Sequence, residues 1–123
     1  MKPRSLHELS VAELLERFTI ASLGQYQAEF ESNIAEQNKF VRQTMAIADE
    51  LKRRPGDQRS ALIKLYDHSN VQTRLNAAKL TLAVAPAAAR GVIQTIKDSK
   101  QYPQAMDAGM CLWTIEQGIF TPT

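Results

Sequence analysis

Apolar residues recur along this chain at spacings of three and four, with little sign of the strict alternation that marks strands. Ser10-Val11-Ala12-Glu13 reads as a capping box, and Val11, Leu14, Leu15, Phe18, Ala21 and Ser22 follow at helical spacing, the stripe widened by Ile20, Leu23 and Phe30. This predicts a first helix from about 10 to about 29. A second pattern starts near Ser32 or Asn33 and carries Ile34, Val41, Thr44, Met45, Ala48 and Leu51, flanked by Phe40 and Ile47. It ends in Lys52-Arg53-Arg54, cations set against the negative end of the helix dipole, before Pro55-Gly56 breaks the chain. No Gly or Pro separates these two helices, so one continuous helix over 10–54 is the competing reading; a break is preferred because such a helix would be roughly 68 Å long.

Asp57 can cap a third helix, DQRSALIKLYDH, with Ala61, Leu62, Leu65 and Tyr66 on one face. Ser69-Asn70-Val71-Gln72 reads as a second capping box, opening a fourth helix whose stripe is Val71, Leu75, Ala78 and Leu82. Pro86 suits the first turn of a fifth helix with Ala89, Val92, Ile93 and Ile96 on its face. Pro103 starts a sixth, carrying Met106, Met110, Trp113 and Gln117 beside Ala105, Ala108, Gly109 and Leu112, with Gly118 as its stop.

A shift of 30 residues sets Leu62 on Val92, Ile63 on Ile93, Tyr66 on Ile96, Ser69 on Ser99, Ala78 on Ala108 and Leu82 on Leu112. Helix three then matches helix five, and helix four matches helix six. A hairpin repeat cannot bury its apolar face alone, so about three units are needed for stability, and helices one and two supply the third. The expected architecture is all-α: an α-α superhelix of about three antiparallel pairs, near 10–54, 57–85 and 86–118, in one domain over 1–123. The stretch LIKLYDHSNVQTRLNAAKLTL resembles a HEAT repeat, through Leu62, Leu65 and Asp67 and then Asn70, Val71, Arg74, Ala77, Ala78 and Leu82. Across most of its length the chain also resembles a small bacterial family of HEAT-like domains of unknown function. The matching features are Arg74 with Ala77-Ala78-Lys79, Leu82–Pro86 and Tyr102–Met110. The resemblance implies the fold and supplies no activity.

Composition agrees with a chain that folds alone, with 44% hydrophobic and 23% charged residues. Charge is uneven: residues 61–100 hold Lys64, Arg74, Lys79, Arg90, Lys97 and Lys100 against Asp67 and Asp98. A solvated face is the first reading of this bias, and a phosphate-binding face the second. The lone Cys111 rules out an intramolecular disulfide. The opening MKPRSLHELS lacks the apolar run of a signal peptide, and no stretch is long enough to span a bilayer, so a cytoplasmic location is expected.

No catalytic, cofactor or metal motif stands out. His7, His68 and Cys111 are scattered without ligand spacing, and His68 beside Asp67 has no placed nucleophile, so a capping or exposed histidine is expected. Cys111 reads as core or half-buried rather than as a catalytic thiolate. Gly109, with Ala105 and Ala108, makes a small-residue patch that admits either a neighbouring helix or a partner. The candidate interaction residues are Arg74, Lys79, Tyr102, Gln104 and Asp107, with an ion pair expected between Arg74 and Asp107. The expected role is a non-enzymatic module binding another protein through the second helices of its pairs, as a monomer or small homo-oligomer. Two alternatives remain: a nucleic-acid binder using the 61–100 cations, and a small-ligand or enzymatic pocket around Arg74, Tyr102 and Asp107.

Overall fold

The computed structural model describes residues 4–123, and Met1-Lys2-Pro3 of the N-terminal reading lie outside the described residues. The chain is all-α. Five α-helices, α1 (Val11–Phe30), α2 (Ile34–Arg53), α3 (Val71–Lys79), α4 (Pro86–Asp98) and α5 (Gln104–Glu116), are accompanied by 3-10 segments at Leu6–Glu8 and Gln58–Asp67. Among the described residues there is no strand, and no helix is long and apolar enough to cross a membrane. The chain divides into two compact units, Met1–Ala61 and Leu62–Thr123.

The N-terminal unit is an α1–α2 hairpin. Its capping box forms as the sequence predicts: the Ser10 hydroxyl accepts from the Glu13 N–H, and the Glu13 carboxylate accepts from the Ser10 N–H. Leu9 and Leu14, both buried, occupy the positions of a hydrophobic staple. The chain breaks after Phe30, so the continuous helix is not formed. Ser32 takes φ 56°, its N–H donates to Glu29 O, and the Asn33 N–H donates to Ala28 O. This pair of bonds is a Schellman closure without glycine. Asn33 at once caps α2, accepting from the Glu36 N–H. One asparagine therefore ends one helix and starts the next.

Phe18, Leu14 and Leu51 are fully buried in this unit, with Ile47, Ala48, Ala21 and Ala28. The outer members of the predicted stripes are not in the core: Ile20, Leu23, Phe30, Ile34 and Met45 are exposed. Gly24 explains how closely the helices approach. A Cβ there would stand 2.6–2.8 Å from the Phe40 ring of α2, a separation that carbon atoms do not tolerate.

In the C-terminal unit, Val71, Leu75, Ala78, Leu82, Ala89, Ile93, Ile96 and Ala108 form one core cluster, and the predicted stripe of the fourth helix lies wholly within it. The helices themselves depart from expectation. The segment predicted as helix three is 3-10 over Gln58–Asp67, with Leu62 its only buried residue, so little packing enforces the α form. Asp57 caps it through its carboxylate, which accepts from the Arg59 N–H at 3.3 Å and, at φ 49°, also takes the Arg59 guanidinium at 2.7 and 2.9 Å.

The fourth helix stops at Lys79 rather than 85; beyond it the chain runs as turns, with Thr81 N–H bonded to Ala78 O and Val84 N–H to Thr81 O, and the buried Thr81 hydroxyl donates to Ala77 O and Ala78 O. Its cap is Asn70, accepting from the Thr73 N–H, in place of a Ser69 box. Pro86 stands at the first position of α4. Gly118, at φ 72°, closes α5 with Gly118 N–H to Ile115 O and Ile119 N–H to Thr114 O. The 30-residue register does not coincide with the element starts: α3 begins at Val71 and α5 at Gln104.

Candidate functional face on helix α5

Helix α5 turns its small side inward. Gln104, Ala105 and Ala108 are buried, whereas Met106, Met110 and Trp113, read from the sequence as its apolar stripe, are 65%, 54% and 48% exposed. Tyr102, just before the helix, is 65% exposed as well. The alanines explain the inversion: with no side chain beyond Cβ they let α5 settle close on α3 and α4, so the bulkier residues are left outside. A groove of about 740 Å³ runs along this outer side, lined by Lys97, Tyr102, Met106, Gly109, Met110 and Trp113, with Lys100 and Glu116 toward its ends.

Gly109 forms part of the groove floor. Its nearest neighbours are methylenes of Lys97, 3.7–3.8 Å from where a Cβ would lie, so the site has room for a methyl and the glycine is not demanded by helix packing. Lys97 thus lays its stem over α5 and keeps its ammonium at the groove edge.

The candidate residues from the sequence divide into two sets. Lys79 and Asp107 come together, Nζ to Oδ1 at 3.1 Å, joining α3 to α5. The expected Arg74–Asp107 pair is not formed. Arg74 donates instead to the carbonyls of His68, at 2.7 Å, and Ser69, at 3.0 Å, just before α3. Gln104 is buried and its side-chain amide donates to Gln72 Oε1 at 3.1 Å, while Gln72 Nε2 donates to Asn76 Oδ1 at 2.9 Å. Two glutamines and an asparagine therefore form a polar chain inside an alanine-rich interface. The pairing of Gln72 with Gln104 was not legible, since nothing in either residue names its partner.

Arg74 and Tyr102 line different hollows, the former with Tyr66, Gly91 and Ser99, so the pocket imagined around Arg74, Tyr102 and Asp107 is not assembled. His68 accepts from the Asn70 N–H through Nδ1, a turn-forming role close to the expected one. Half-buried Cys111 has its thiol pKa pushed up by burial, with Lys79 opposing and Asp107 adding to the shift. No group of three or more His, Cys, Asp or Glu able to hold a metal ion occurs among the described residues.

A second cluster that the sequence reading missed lies in the N-terminal unit. Arg54, read as a dipole cation, donates to Glu50 Oε2 at 2.9 Å and to the carbonyls of Leu6 and Leu9 at 3.2 and 2.6 Å, while Arg53 donates to Glu50 Oε1 at 3.1 Å. The Arg54 and Arg53 hydrogen bonds hold the Glu50 carboxyl below the usual carboxylate range. This cluster ties the N-terminal segment to the end of α2, and its donors and acceptors are occupied with one another.

A family model described as a domain of unknown function, DUF2019, matches residues 12–116. The chain belongs to this family. Among solved structures it is similar to the protein RPA1889 from Rhodopseudomonas palustris CGA009, a bacterial relative. The two share 44% identity over 98% of this chain and 100% of that one, with a TM-score of 0.94. No curated protein matches the chain. The structural similarity shows the fold of this chain, and the family match assigns it no activity.

Proposed function

We propose that this DUF2019 domain is a non-enzymatic, HEAT-like protein-interaction module of the cytoplasm whose contact surface is the outer face of α5. The observation that carries the reading is the exposure of Met106, Met110 and Trp113 along α5, with Tyr102 exposed just before it. Large apolar side chains gathered on one exposed face mark interaction sites, and Trp, Tyr and Met are enriched there, the rings supplying area at little conformational cost and methionine fitting itself to the partner. The face is backed by residues that fix it: Ala105 and Ala108 seat α5, and Gln104 and Asp107 tie it to α3. A rigid helix that presents adaptable methionines around a tryptophan suits binding a folded partner.

The nucleic-acid alternative is weakened by two engagements. Lys79 is paired with Asp107 and Arg74 with two carbonyls, which leaves Lys64, Arg90, Lys97 and Lys100 as its exposed cations. Affinity capture from the native host with the chain and its Trp113→Ala, Met106→Ser variant tests the reading. Partners retained by the chain and lost by the variant are expected; identical captured sets, or retention on heparin that survives the variant and falls with salt, refute it.

A further inference from the structure

Arg59 and Arg74 spend different sides of the same group. The Arg59 guanidinium presents its Nε–Nη2 fork to the Asp57 carboxylate, one N–H to each oxygen, at 2.9 and 2.7 Å. Arg74 anchors itself by Nη1, which donates to the carbonyls of His68 and Ser69. Among the described residues its Nε and Nη2 meet no acceptor, and no buried side-chain nitrogen or oxygen is left without a partner, so this fork is open to solvent. The chain thus holds a second guanidinium in place with its carboxylate-binding edge unfilled.

Arg74 lines a hollow of about 510 Å³ against α4, and the donors it has left to offer there are those of the fork. Ala88, Gly91, Val92 and Ile96 give the hollow apolar walls, and no Asp or Glu lines it among the described residues. Three hydroxyls line it as well, each with its proton committed. Thr95 donates to Gly91 O, Ser99 to Ile96 O, and Tyr66 to the Thr81 hydroxyl, whose own proton goes to Ala77 O or Ala78 O. One fork is therefore the whole side-chain donor set of the hollow. Phosphate would bring further oxygens with no donor to meet them; a carboxylate brings two, and the apolar walls suit a hydrocarbon body behind it.

We propose that this hollow binds a monocarboxylate with an apolar body, its two oxygens on the Arg74 fork and its body along Gly91 and Val92 of α4. The site shares no lining residue with the α5 groove, so loss of either leaves the other intact. Amide-resolved NMR titration of the full chain with sodium 3-methylbutanoate should give saturable shifts at Gly91, Thr95 and Ser99, with a Kd on the order of 1 mM for so small a ligand. The corresponding amide and methyl phosphate should give none. Arg74→Lys keeps the charge and loses the fork, and should weaken binding about tenfold. Because Arg74 also holds the turn before α3, Gly91→Met supplies an independent block. A Cβ there meets nothing within 4 Å, so the side chain enters the hollow without displacing a neighbour and should abolish the shifts with no loss of melting temperature. An acetylated tripeptide ending in valine offers the same group on a chain end: binding tighter than the free acid assigns the site to peptide C-termini, and equal or weaker binding assigns it to free acids. No saturable shift up to tens of millimolar with either probe overturns the site. Equal binding of the amide or of methyl phosphate overturns the ligand class, undiminished binding in Arg74→Lys overturns the role of the fork, and binding retained in Gly91→Met overturns the location.

Discussion

The two units both bury large side chains but differ at the seams where one helix meets the next. In the N-terminal unit a few large side chains, Phe18, Leu14 and Leu51, fill the seam of a long hairpin, and a single glycine, Gly24, admits the ring of Phe40. The C-terminal unit packs three shorter helices through Ala77, Ala78, Ala89, Ala105 and Ala108, and threads a chain of amides between α3 and α5. Leu75, Ile93 and Ile96 fill the C-terminal core as Phe18, Leu14 and Leu51 fill the N-terminal one, but along α5 the alanines bring the backbones together and leave the large residues of that helix outside. The exposed face of α5 is therefore a product of how its unit is packed.

The widest test of that contrast is truncation. Phe18→Ala should cost about 3–5 kcal/mol, read as a lower urea midpoint, because the fully buried ring leaves a cavity, whereas Trp113→Ala on the exposed face should cost far less in the dilute chain. A comparable loss from the two would erase the distinction. Next in size is Gln104→Leu, expected to cost about 1–3 kcal/mol by leaving the Gln72 carbonyl oxygen buried without that donor. Neutrality there would mean the amide chain sets register without adding stability.

The glycines give a sharper comparison, since one substitution should act with opposite signs. Gly24→Ala drives the Phe40 ring off α1 and should destabilise by about 1 kcal/mol, while Gly109→Ala should gain about 1 kcal/mol at low protein concentration, as a methyl fits and helix propensity improves. Smaller still, Ser32→Gly should add somewhat under about 1 kcal/mol by relieving a left-handed residue at the α1 terminus. Thermal melts of the three variants measure all of these shifts.

The units also differ in their response to pH. Glu13, Glu50 and Asp57, all in the N-terminal unit, are held below the usual carboxylate range, by Ser10, by Arg54 and by Arg59 respectively. Their contribution is in place above the unfolded carboxylate range and fades as pH falls through the lowered values, so acid should loosen this unit. In the C-terminal unit, burial raises the pKa of both Tyr66 and Cys111, though Thr81 opposes this at Tyr66. That contribution is present below their unfolded values and is lost as pH climbs through the folded ones, so alkali should loosen it. Residue-resolved hydrogen exchange at the two extremes separates these responses; the reverse pattern would contradict both assignments. Slow labelling of Cys111 by a thiol reagent at neutral pH belongs to the same expectation.

Much of this was legible from period and punctuation. Ser10 with Glu13, Asn33, Pro86 and Gly118 mark helix ends because each does so through its own backbone or a neighbour within a few residues. Buried stripes were found, but their edges were not: apolarity alone made Phe30, Ile34 and Met45 look like core. On α5 the alanines of the small-residue patch are buried, in keeping with a neighbouring helix, while Met106, Met110 and Trp113, grouped in the sequence by apolarity, lie outside. The early stop of α3 has no marker in the sequence, since neither Gly nor Pro stands between Lys79 and Ala85, and the partner of Asp107 is Lys79 because helix length and rotation, which spacing does not supply, decide which cation arrives.

The bond network at Arg54 carries one last consequence. A guanidinium at the end of α2 that holds the carbonyls of Leu6 and Leu9 makes a segment far away in sequence local in energy. To open, residues 5–10 must give up the two bonds from the Arg54 guanidinium, whose own seat is the Glu50 carboxylate of α2. A protease probing this segment in the native chain would thus sense the charge state of Glu50, a residue it never touches.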